Sequence, residues 1–426
     1  MLGRLVKAIL RGDFASSTIA SDSDALAFAG TTAFQNLDFS TAAELLMQAH
    51  LQHPLDAMGR AMLGTALLYG GQLAAAERML RSALALDPSE VKARKMLAMK
   101  YLYAGDWKEG FRLYEEARDD YVLKTPGQKL SRDWLACIRQ SVEGIAAWRG
   151  EALDGKRILV WSEYGHGDAM MNLRFLPVLR DERGAGDVAF LSMEVEKCLF
   201  EAVGGKSFHE AIWGWRPAPG QYDFHCSLIS LPYLLEVDLT HIPGRQPYLE
   251  IPPAKIDVWR QRLSEIRGLR VGLSWAGNPD MPLDPLRSIA LKKMAALFSV
   301  EGVSYFSLQK DRVSRDALSA QGLPVIDLMD HVEDFMDTAG LMQHLDLVIS
   351  VDTALAHLAG ATGRPVWLLN RFESEWRWMR DRDDTPWYPT MRIFNQSEPR
   401  NWELVLDRVA VELQVLARAR PAGSIS

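Results

Sequence analysis

The sequence predicts an α-helical solenoid followed by an α/β module built on parallel, doubly wound sheets. Small residues and prolines recur every 34 residues through residues 22–124, and beyond residue 156 short apolar strands alternate with helices. A chain of 426 residues is also long for a single core. The predicted parts are an N-terminal lead-in (1–21), three repeats (22–124) and a connecting helix (125–155). They are followed by a first α/β lobe (156–250), a second α/β lobe (251–400), and a C-terminal helix with its tail (401–426).

Composition and charge exclude several classes of protein. Hydrophobic residues make up 48% of the chain and charged residues 24%, as in ordinary globular proteins. The net charge of −7 argues against a nucleic-acid partner, which requires a concentrated basic surface. The three cysteines, Cys137, Cys198 and Cys226, are too widely spaced for a zinc site and odd in number, which favours a reducing compartment.

The first 21 residues contain a short apolar stretch that Arg4, Lys7 and Arg11 interrupt. A membrane-spanning helix needs about 20 predominantly apolar residues, and a signal peptide needs a longer apolar run than this one. We therefore predict a cytoplasmic protein with no transmembrane segment.

Three columns of small residues share one 34-residue register in the N-terminal part: Ala49, Ala83 and Ala117; Gly30, Gly64 and Ala98; and Ala42, Ala76 and Gly110. Pro54 and Pro88 close the first two units. This pattern resembles the tetratricopeptide repeat, in which small residues let two antiparallel helices approach closely. Such solenoids present a concave groove to partners, which predicts a bound protein or peptide, although a purely structural collar is the alternative. Tyr69, Tyr101, Tyr103 and Trp107 are candidate aromatic anchors, and the alternative is that several of them form the core of the repeats.

The first lobe begins after a breaker at residues 124–128 and a connecting helix predicted over 131–148, with Ser131 as its N-cap. A buried strand at 157–163 runs into Gly165, His166, Gly167 and Asp168 and then a helix. Open α/β sheets bind ligands at such a turn. The third glycine of a dinucleotide fingerprint is absent, since position 170 is methionine, which argues against NAD. A further strand is predicted at 187–193, and a strand followed by a helix at 222–235.

The second lobe repeats this arrangement with strands predicted at 269–275, 303–308, 346–351 and 365–369. Polar residues follow each strand, and Asp352 and Thr353 begin a helix. A helix N-terminus offers backbone amides and a positive dipole end, which suit a diphosphate.

Several motifs together resemble a heptosyltransferase-like family, glycosyltransferase family nine. They are Gly-His-Gly-Asp at 165–168 with Arg-Phe-Leu-Pro at 174–177, Trp-Ala-Gly-Asn-Pro at 275–279, Ser-Leu-Gln-Lys at 307–310, Asp352-Thr353 with His357, and the stretches 376–378 and 382–389. The resemblance implies a GT-B fold, in which two Rossmann-like lobes face each other across a cleft. It also implies inverting, metal-independent transfer from a nucleotide sugar, with no cofactor beyond that co-substrate.

The resemblance further implies roles for individual residues. Asp168 corresponds to the base that acts on the acceptor hydroxyl, and Gly165, His166 and Gly167 form the acceptor loop. The donor-binding candidates are Asp352, Thr353, His357 and Asn278, with Lys310 and Arg287 to neutralise the leaving diphosphate. No metal ligands are expected. The alternatives are that Asp168 and Asp352 act as helix N-caps, that His357 is a packed core histidine, and that the aromatic cluster at 376–388 packs around its loop.

The sequence thus predicts a glycosyltransferase that acts on a protein or cell-surface glycan chosen by the repeats. Two alternatives remain: a catalytically inactive scaffold for a glycan-assembly complex, and a lipid-directed heptosyltransferase. We also predict a lobe boundary near residues 248–255, and a C-terminal helix over 401–418 that packs against the first lobe.

Overall fold

The computed structural model of the chain describes residues 22–124, 129–163 and 165–419. The predicted lead-in, part of the predicted join and the last seven residues lie outside these ranges. The chain divides into two compact units. The first, called the repeat unit here, comprises Met1–Pro126 with Phe372–Arg380, and the second, the α/β unit, comprises Gly127–Arg371 with Asp381–Ser426.

The repeat unit contains three helix pairs, as predicted. Its helices are α1 (Asp22–Gln35), α2 (Phe39–Gln52), α3 (Ala57–Tyr69), α4 (Leu73–Leu86), α5 (Val91–Tyr103) and α6 (Trp107–Lys124). The side chains of Asp38 and Asp56 cap α2 and α3 by accepting hydrogen bonds from backbone amides. Helices α2 and α4 end two residues before Pro54 and Pro88, so the prolines follow the helices that they were predicted to close.

The small-residue columns lie where the paired helices touch. A methyl group added to Gly30 would lie 2.7 Å from Cγ of Leu46, and one added to Gly64 would lie 2.7 Å from Cγ of Leu80. The alanines of the first column, Ala49, Ala83 and Ala117, are completely buried. Close helix approach is therefore the reason for the 34-residue period, and the predicted helical repeats are confirmed.

The segment Phe372–Arg380 belongs to the repeat unit although it follows a strand of the second lobe. The Trp376 ring packs edge-on against the rings of Trp107 and Phe111, with centroids 6.3 and 5.5 Å away. The Tyr103 hydroxyl donates a hydrogen bond to the carbonyl of Ser374. Tyr103 and Trp107 are thus buried beside this segment, which favours the alternative that they belong to the repeat core and not to a surface for a partner.

The same segment contacts the end of helix α3. Arg380 donates hydrogen bonds to the carbonyls of Leu68, at 3.3 Å, and Tyr69, at 2.7 Å, which are among the last carbonyls of that helix. Met379 and Asp381, on either side of Arg380, both have positive φ angles. The second lobe, predicted as one continuous stretch over 251–400, is therefore interrupted by a segment that packs with the repeats.

The first lobe of the α/β unit begins with α7 (Lys129–Ser141), which is shorter than the predicted connecting helix. Ser131 lies within the helix and not at its N-cap. Helix α7 is followed by a turn in which Gly144 has a φ of 83°, a conformation that favours glycine. Residues 146–147 then form an edge strand. The strands are β1 (Ala146–Ala147), β2 (Arg157–Trp161), β3 (Asp187–Ser192), β4 (Ser207–Glu210) and β5 (Phe224–Ser227), in the parallel order β1-β5-β2-β3-β4.

The helices of this lobe are α8 (His166–Leu173), α9 (Leu176–Asp181), α10 (Lys197–Ala202) and α11 (Leu231–Leu234), with 3₁₀ helices at Glu194–Glu196 and Leu228–Ser230. The predicted strands at 157–163 and 187–193 correspond to β2 and β3, and the predicted strand and helix at 222–235 correspond to β5 and α11. Strand β4 was missed because its four residues contain a serine, a histidine and a glutamate and show no apolar run.

The second lobe contains β6 (Leu269–Ser274), β7 (Val303–Ser307), β8 (Val325–Asp327), β9 (Leu347–Val351), β10 (Val366–Asn370) and β11 (Met391–Asn395), all parallel. Their order, β11-β10-β9-β6-β7-β8, is the doubly wound Rossmann order, with the switch point between β6 and β9. The helices are α12 (Pro253–Arg262), α13 (Asp284–Arg287), α14 (Ala295–Phe298), α15 (Arg312–Gln321), α16 (Phe335–Met342), α17 (Ala354–Ala361) and α18 (Glu403–Ala419), with 3₁₀ turns at Leu291–Met294, Met329–His331 and Trp376–Trp378. The predicted parallel α/β fold is confirmed.

The C-terminal helix α18 packs on the second lobe. Its apolar stripe of Val405, Val409 and Leu413 is buried in one cluster with residues of β6 and β9. The prediction that this helix packs back on the first lobe is wrong. The stripe is spaced by one helical turn and fits the apolar face of the sheet that directly precedes it in the chain.

Candidate functional site

Four buried polar side chains lie at or near the carboxyl ends of parallel strands in the second lobe. Ser274 ends β6, Ser307 ends β7, Ser350 is the penultimate residue of β9 and Asn370 ends β10. All four are at most 1% exposed. Since the carboxyl ends of parallel strands share one edge of a sheet, these residues define a polar edge beside the switch point, where open α/β sheets bind ligands.

The side chain of Gln309 links the end of β6 to the loop that follows β7. Its buried amide oxygen accepts hydrogen bonds from Ser274 Oγ at 2.9 Å and from the backbone amides of Trp275 and Ala276. Its amide nitrogen donates to Asp311 Oδ2 at 2.8 Å. Gln309 therefore holds the loop after β6 in place from the loop after β7. The sequence motif at 307–310 included Gln309, but sequence reasoning selected only Lys310 from it.

Arg287 brings two of the predicted donor-binding loops together. Its Nη1 donates to the backbone carbonyl of Asp352 at 2.8 Å, and its Nε pairs with Asp284 Oδ1, also at 2.8 Å. The guanidinium lies so close to Gly277 that a methyl group there would approach it to 2.3 Å. Only 16% of the Arg287 side chain is exposed. The Arg287 guanidinium, paired with Asp284, is thus fixed between the loop after β6 and the end of β9.

Thr353, and not Asp352, is the N-cap residue of helix α17. The Thr353 side chain makes no cap hydrogen bond, and its hydroxyl lies 3.2 Å from Ser350 Oγ and 3.5 Å from Ser274 Oγ. The interpretation of Asp352 as an N-cap is therefore wrong. Asp352 is half-buried one position before the cap.

His357 is buried in a hydrogen-bonded network between the two lobes. Its Nδ1 lies 2.9 Å from the Tyr388 hydroxyl, which lies 3.4 Å from the Tyr248 hydroxyl. Tyr248 in turn donates to the carbonyl of Met170 at 2.8 Å, and burial raises the pKa of Tyr248 to about 12. These contacts favour a packed histidine over direct donor binding for His357.

Two family motifs that are far apart in sequence, 174–177 and 382–389, meet beside this network. Arg174 Nη1 donates to the carbonyl of Trp387 at 3.0 Å, and the Arg174 guanidinium lies 5.2 Å from the centre of the Tyr248 ring. Gln246 donates to the same Trp387 carbonyl, also at 3.0 Å. The first-lobe motif and the second-lobe motif thus share one lobe interface.

Lys310 and Asn278 are not brought to the site formed by Arg287 and Asp352. The Lys310 ammonium group donates to the backbone carbonyls of Met329, at 3.3 Å, and Val332. Asn278 is exposed, and its side-chain oxygen accepts a hydrogen bond from the Asp280 amide at 3.0 Å, which forms a turn. The geometry gives both side chains local roles in their own loops.

The glycine loop of the first lobe follows the carboxyl end of β2. Gly165 is the N-cap of helix α8 and Asp168 lies in its first turn, so the interpretation of Asp168 as the N-cap is wrong. Asp168 is half-buried. A methyl group added to Gly167 would lie 2.8 Å from His357 Cδ2, which places the loop directly against helix α17 of the second lobe.

His166 is held by a buried carboxylate that sequence reasoning missed. His166 Nδ1 lies 2.8 Å from Glu196 Oε1, and Glu196, completely buried, also accepts a hydrogen bond from Ser192 Oγ. The His166 ring contacts Phe335 of the second lobe, with ring centroids 5.3 Å apart. Nothing in the sequence links residue 196 to residue 166, because the contact depends on the neighbouring ends of β2 and β3.

Among the described residues, no group of three or more histidine, cysteine, aspartate or glutamate side chains is arranged to hold a metal ion. Within the same ranges, no helix has the length and apolar character required to span a membrane. Metal independence and a cytoplasmic location both stay predictions.

Part of the second lobe matches a known protein family. Residues 333–399 match glycosyltransferase family 9 (heptosyltransferase). Protein FlbA of Caulobacter vibrioides is 27% identical over 308 residues, which cover 66% of this chain and 50% of FlbA. The chain thus spans about half the length of that curated relative.

Two solved structures were also matched. The glycosyl transferase family 9 protein of Veillonella parvula is 12% identical, with a TM-score of 0.44 over 62% of this chain and 97% of that one. E. coli ADP-heptose LPS heptosyltransferase II is 13% identical, with a TM-score of 0.41 over 61% of this chain and all of that one. The strand order, the strand-end loops and the matched residues 333–399 lead to one conclusion: the chain contains a glycosyltransferase family 9 domain at its C-terminal end, preceded by helical repeats.

Proposed function

We propose that this protein is an inverting, metal-independent glycosyltransferase that moves a sugar from a nucleotide sugar to a protein, or to a cell-surface glycan, chosen by the repeats. The contact between Gly167 and His357 is the observation that carries this proposal. It brings the loop with Asp168 from the first sheet edge against the helix that begins at the second sheet edge. A donor at one edge and an acceptor at the other would meet at this contact.

The donor diphosphate would lie at the polar edge of the second lobe. The N-terminus of helix α17 supplies the positive end of a helix dipole, and the Thr353 hydroxyl is not used as a cap. Arg287 adds a fixed positive charge beside the Asp352 carbonyl. Preorganised positive charge at this place would stabilise the negative charge that develops on the leaving group.

Asp168 would act as the base. Its carboxylate would take the proton of the acceptor hydroxyl while that oxygen forms a bond to the anomeric carbon of the sugar. The bond from that carbon to the phosphate oxygen would break, and the nucleoside diphosphate would leave with the electron pair. Attack from the face opposite the leaving group inverts the anomeric configuration.

The repeats would select the acceptor, because stacked helix pairs present an extended concave surface that suits a polypeptide. Since Tyr103 and Trp107 are covered by Phe372–Arg380, an acceptor would bind other parts of that surface. The partly exposed cluster of Glu77, Arg81, Lys100 and Tyr101 would offer charged and aromatic groups to such an acceptor.

A thermal-shift screen with UDP-, GDP-, ADP- and CMP-sugars tests the donor assignment. A ligand at 100 times its dissociation constant stabilises a protein by about 2.7 kcal/mol, which is easily detected. We expect one nucleotide class to raise the melting temperature, and Arg287→Ala to reduce that rise. No response to any donor would overturn the proposal. Donor binding without hydrolysis or transfer would favour a scaffold, and transfer to a lipid acceptor only would favour a lipid-directed enzyme.

A further inference from the structure

The turn after strand β4 presents two large apolar side chains to solvent. Trp213 is 71% exposed and its neighbour Ile212 is 52% exposed. Most tryptophans in folded proteins are largely buried, because the indole ring contributes a large apolar area. The turn contains none of the family motifs, and the proposed reaction does not use it.

The turn itself is firmly anchored. The Trp215 amide donates to the carbonyl of Ile212 at 3.1 Å, and the Gly214 amide donates to Gln140 Oε1 of helix α7 at 3.2 Å. Ser141 Oγ of the same helix donates to the Trp215 carbonyl at 3.1 Å. The Trp215 ring lies on the His209 ring, with centroids 4.6 Å apart. The backbone is thus held in place while the Trp213 side chain remains exposed.

The turn lies at the same sheet edge as the loop with Asp168. Strands β2, β3 and β4 are parallel, and Trp161, Leu191 and His209 are aligned across them. Neighbouring strands are about 4.8 Å apart, so the loops that follow β2 and β4 begin roughly 10 Å from each other. An extended peptide covers about 3.3–3.6 Å per residue, and three residues therefore span this distance.

We propose that Trp213 and Ile212 form an acceptor subsite for a polypeptide that has a large apolar side chain about three residues from the glycosylated hydroxyl. This inference rests on the proposed function. A sugar ring would need polar partners for its hydroxyl groups, but the polar groups around the turn are already engaged. The Gln140 side chain binds the turn, and Arg216 is paired with Glu143 at 2.7 Å. A peptide with an apolar side chain therefore fits this turn better than a sugar.

Fluorine NMR of the full-length protein labelled with 5-fluorotryptophan tests this contact. The Trp213 resonance is identified by its loss in Trp213→Phe. The probes are three decapeptides with one central threonine in a glycine and asparagine background: one has leucine three residues before it, one has leucine three residues after it, and one has no leucine. We expect a saturable shift of the Trp213 resonance with one leucine peptide, at an affinity about tenfold above that of the leucine-free peptide.

The controls separate this subsite from the donor site. Methyl glycosides should leave the Trp213 resonance unchanged, and Trp213→Ala should abolish the tenfold preference for leucine. Val258→Ala, which alters an exposed apolar side chain on helix α12, should preserve that preference. A response to methyl glycosides alone, or no difference among the peptides, would overturn the subsite.

Thermal shifts with the nucleotide sugars are measured on the same wild-type and Trp213→Ala proteins. We expect equal donor stabilisation in both, because Trp213 belongs to the first lobe. Donor stabilisation without a peptide response overturns the subsite alone. The absence of donor stabilisation overturns the proposed function, and the peptide titration still decides whether Trp213 binds an apolar side chain.

Discussion

Gly167 and His357 touch across the two lobes: a methyl group at Gly167 would lie 2.8 Å from His357 Cδ2 and 3.6 Å from the Cα of Ala354. His357 has little freedom to move away, because its Nδ1 is bonded to Tyr388 in a buried network. Position 167 therefore has no room for a side chain while the lobes keep this arrangement.

Gly167→Ala should force the lobes apart at this contact. Alanine is the better helix former, by about 1 kcal/mol, yet overpacking typically costs about 1–3 kcal/mol, so we expect lower stability and reduced transfer. Gly165→Ala is the matched control, because its added methyl would come no closer than 3.7 Å to any neighbour, at Asp168 Oδ2. Melting temperatures and transfer rates check both variants. Equal behaviour of the two variants would contradict the contact.

Asp168→Asn tests the base. We expect transfer to fall by roughly a hundredfold or more, the usual contribution of general-base catalysis, with unchanged donor affinity and melting temperature. Asp168 is not the N-cap, so a capping effect does not complicate the result. Asp181→Asn, a substitution at an exposed carboxylate of the same lobe, should leave transfer unchanged. Full activity in Asp168→Asn would remove this residue from the mechanism.

Arg287→Ala should weaken binding of the nucleotide sugar. The substitution removes the positive charge at the Asp352 carbonyl and leaves the buried Asp284 without its ion-pair partner. Hydrogen bonds to charged groups contribute about 1.5–3 kcal/mol, which corresponds to a loss of affinity of about tenfold or more, measured by calorimetry.

Lys310→Ala provides the comparison for Arg287→Ala. Because the Lys310 ammonium group is engaged by the carbonyls of Met329 and Val332, we expect a smaller loss of donor affinity than in Arg287→Ala. A larger loss would show that Lys310 leaves those carbonyls when the donor binds, and would support the sequence-based prediction that it neutralises the diphosphate.

Trp376→Ala should destabilise the repeat unit. The ring is 5% exposed and packs on Trp107 and Phe111, and truncation of a buried tryptophan typically costs about 3–5 kcal/mol. Urea unfolding of the full chain, followed by circular dichroism, gives the measurement. Val258→Ala should change the unfolding free energy by less than about 0.5 kcal/mol, as exposed substitutions usually do. A similarly small effect of Trp376→Ala would contradict the assignment of Phe372–Arg380 to the repeat unit.

Glu77 should make the stability of the repeats depend on pH. The hydrogen bond from Lys100 and that from Tyr101 lower the pKa of the Glu77 carboxyl from 4.5 to about 2. A group whose folded pKa is depressed stabilises the fold above its unfolded pKa and loses that contribution as the pH falls towards the folded value. The deficit of Glu77→Gln in melting temperature should therefore be full at pH 7 and shrink between pH 4.5 and about 2. Glu116→Gln, at a carboxylate that is 52% exposed, should show a small deficit. A pH-independent deficit in Glu77→Gln would contradict the ion pair.

Local regularities of the sequence determined the classes of element and their order. The 34-residue period followed from helix packing, since Gly30 and Gly64 leave room for Leu46 and Leu80 in the first two units of the solenoid. Seven strands were predicted: β2, β3 and β5 of the first sheet, and β6, β7, β9 and β10 of the second. They were visible because buried parallel strands are nearly continuous in apolar residues. The glycine loop and the helix at Thr353 were also visible, as each directly follows such a strand.

Only the tertiary structure decided which of these residues meet. Glu196 reaches His166, and Gln309 reaches Ser274, because the ends of neighbouring strands share a sheet edge, whatever their distance in sequence. The partner of helix α18 and the position of Phe372–Arg380 depended on which apolar surfaces were left uncovered after the sheets had formed. An apolar stripe on a helix, or a tryptophan in a loop, indicates that these side chains are buried in the folded protein. The surface that buries it is a property of the complete fold, because the hydrophobic effect has no direction of its own.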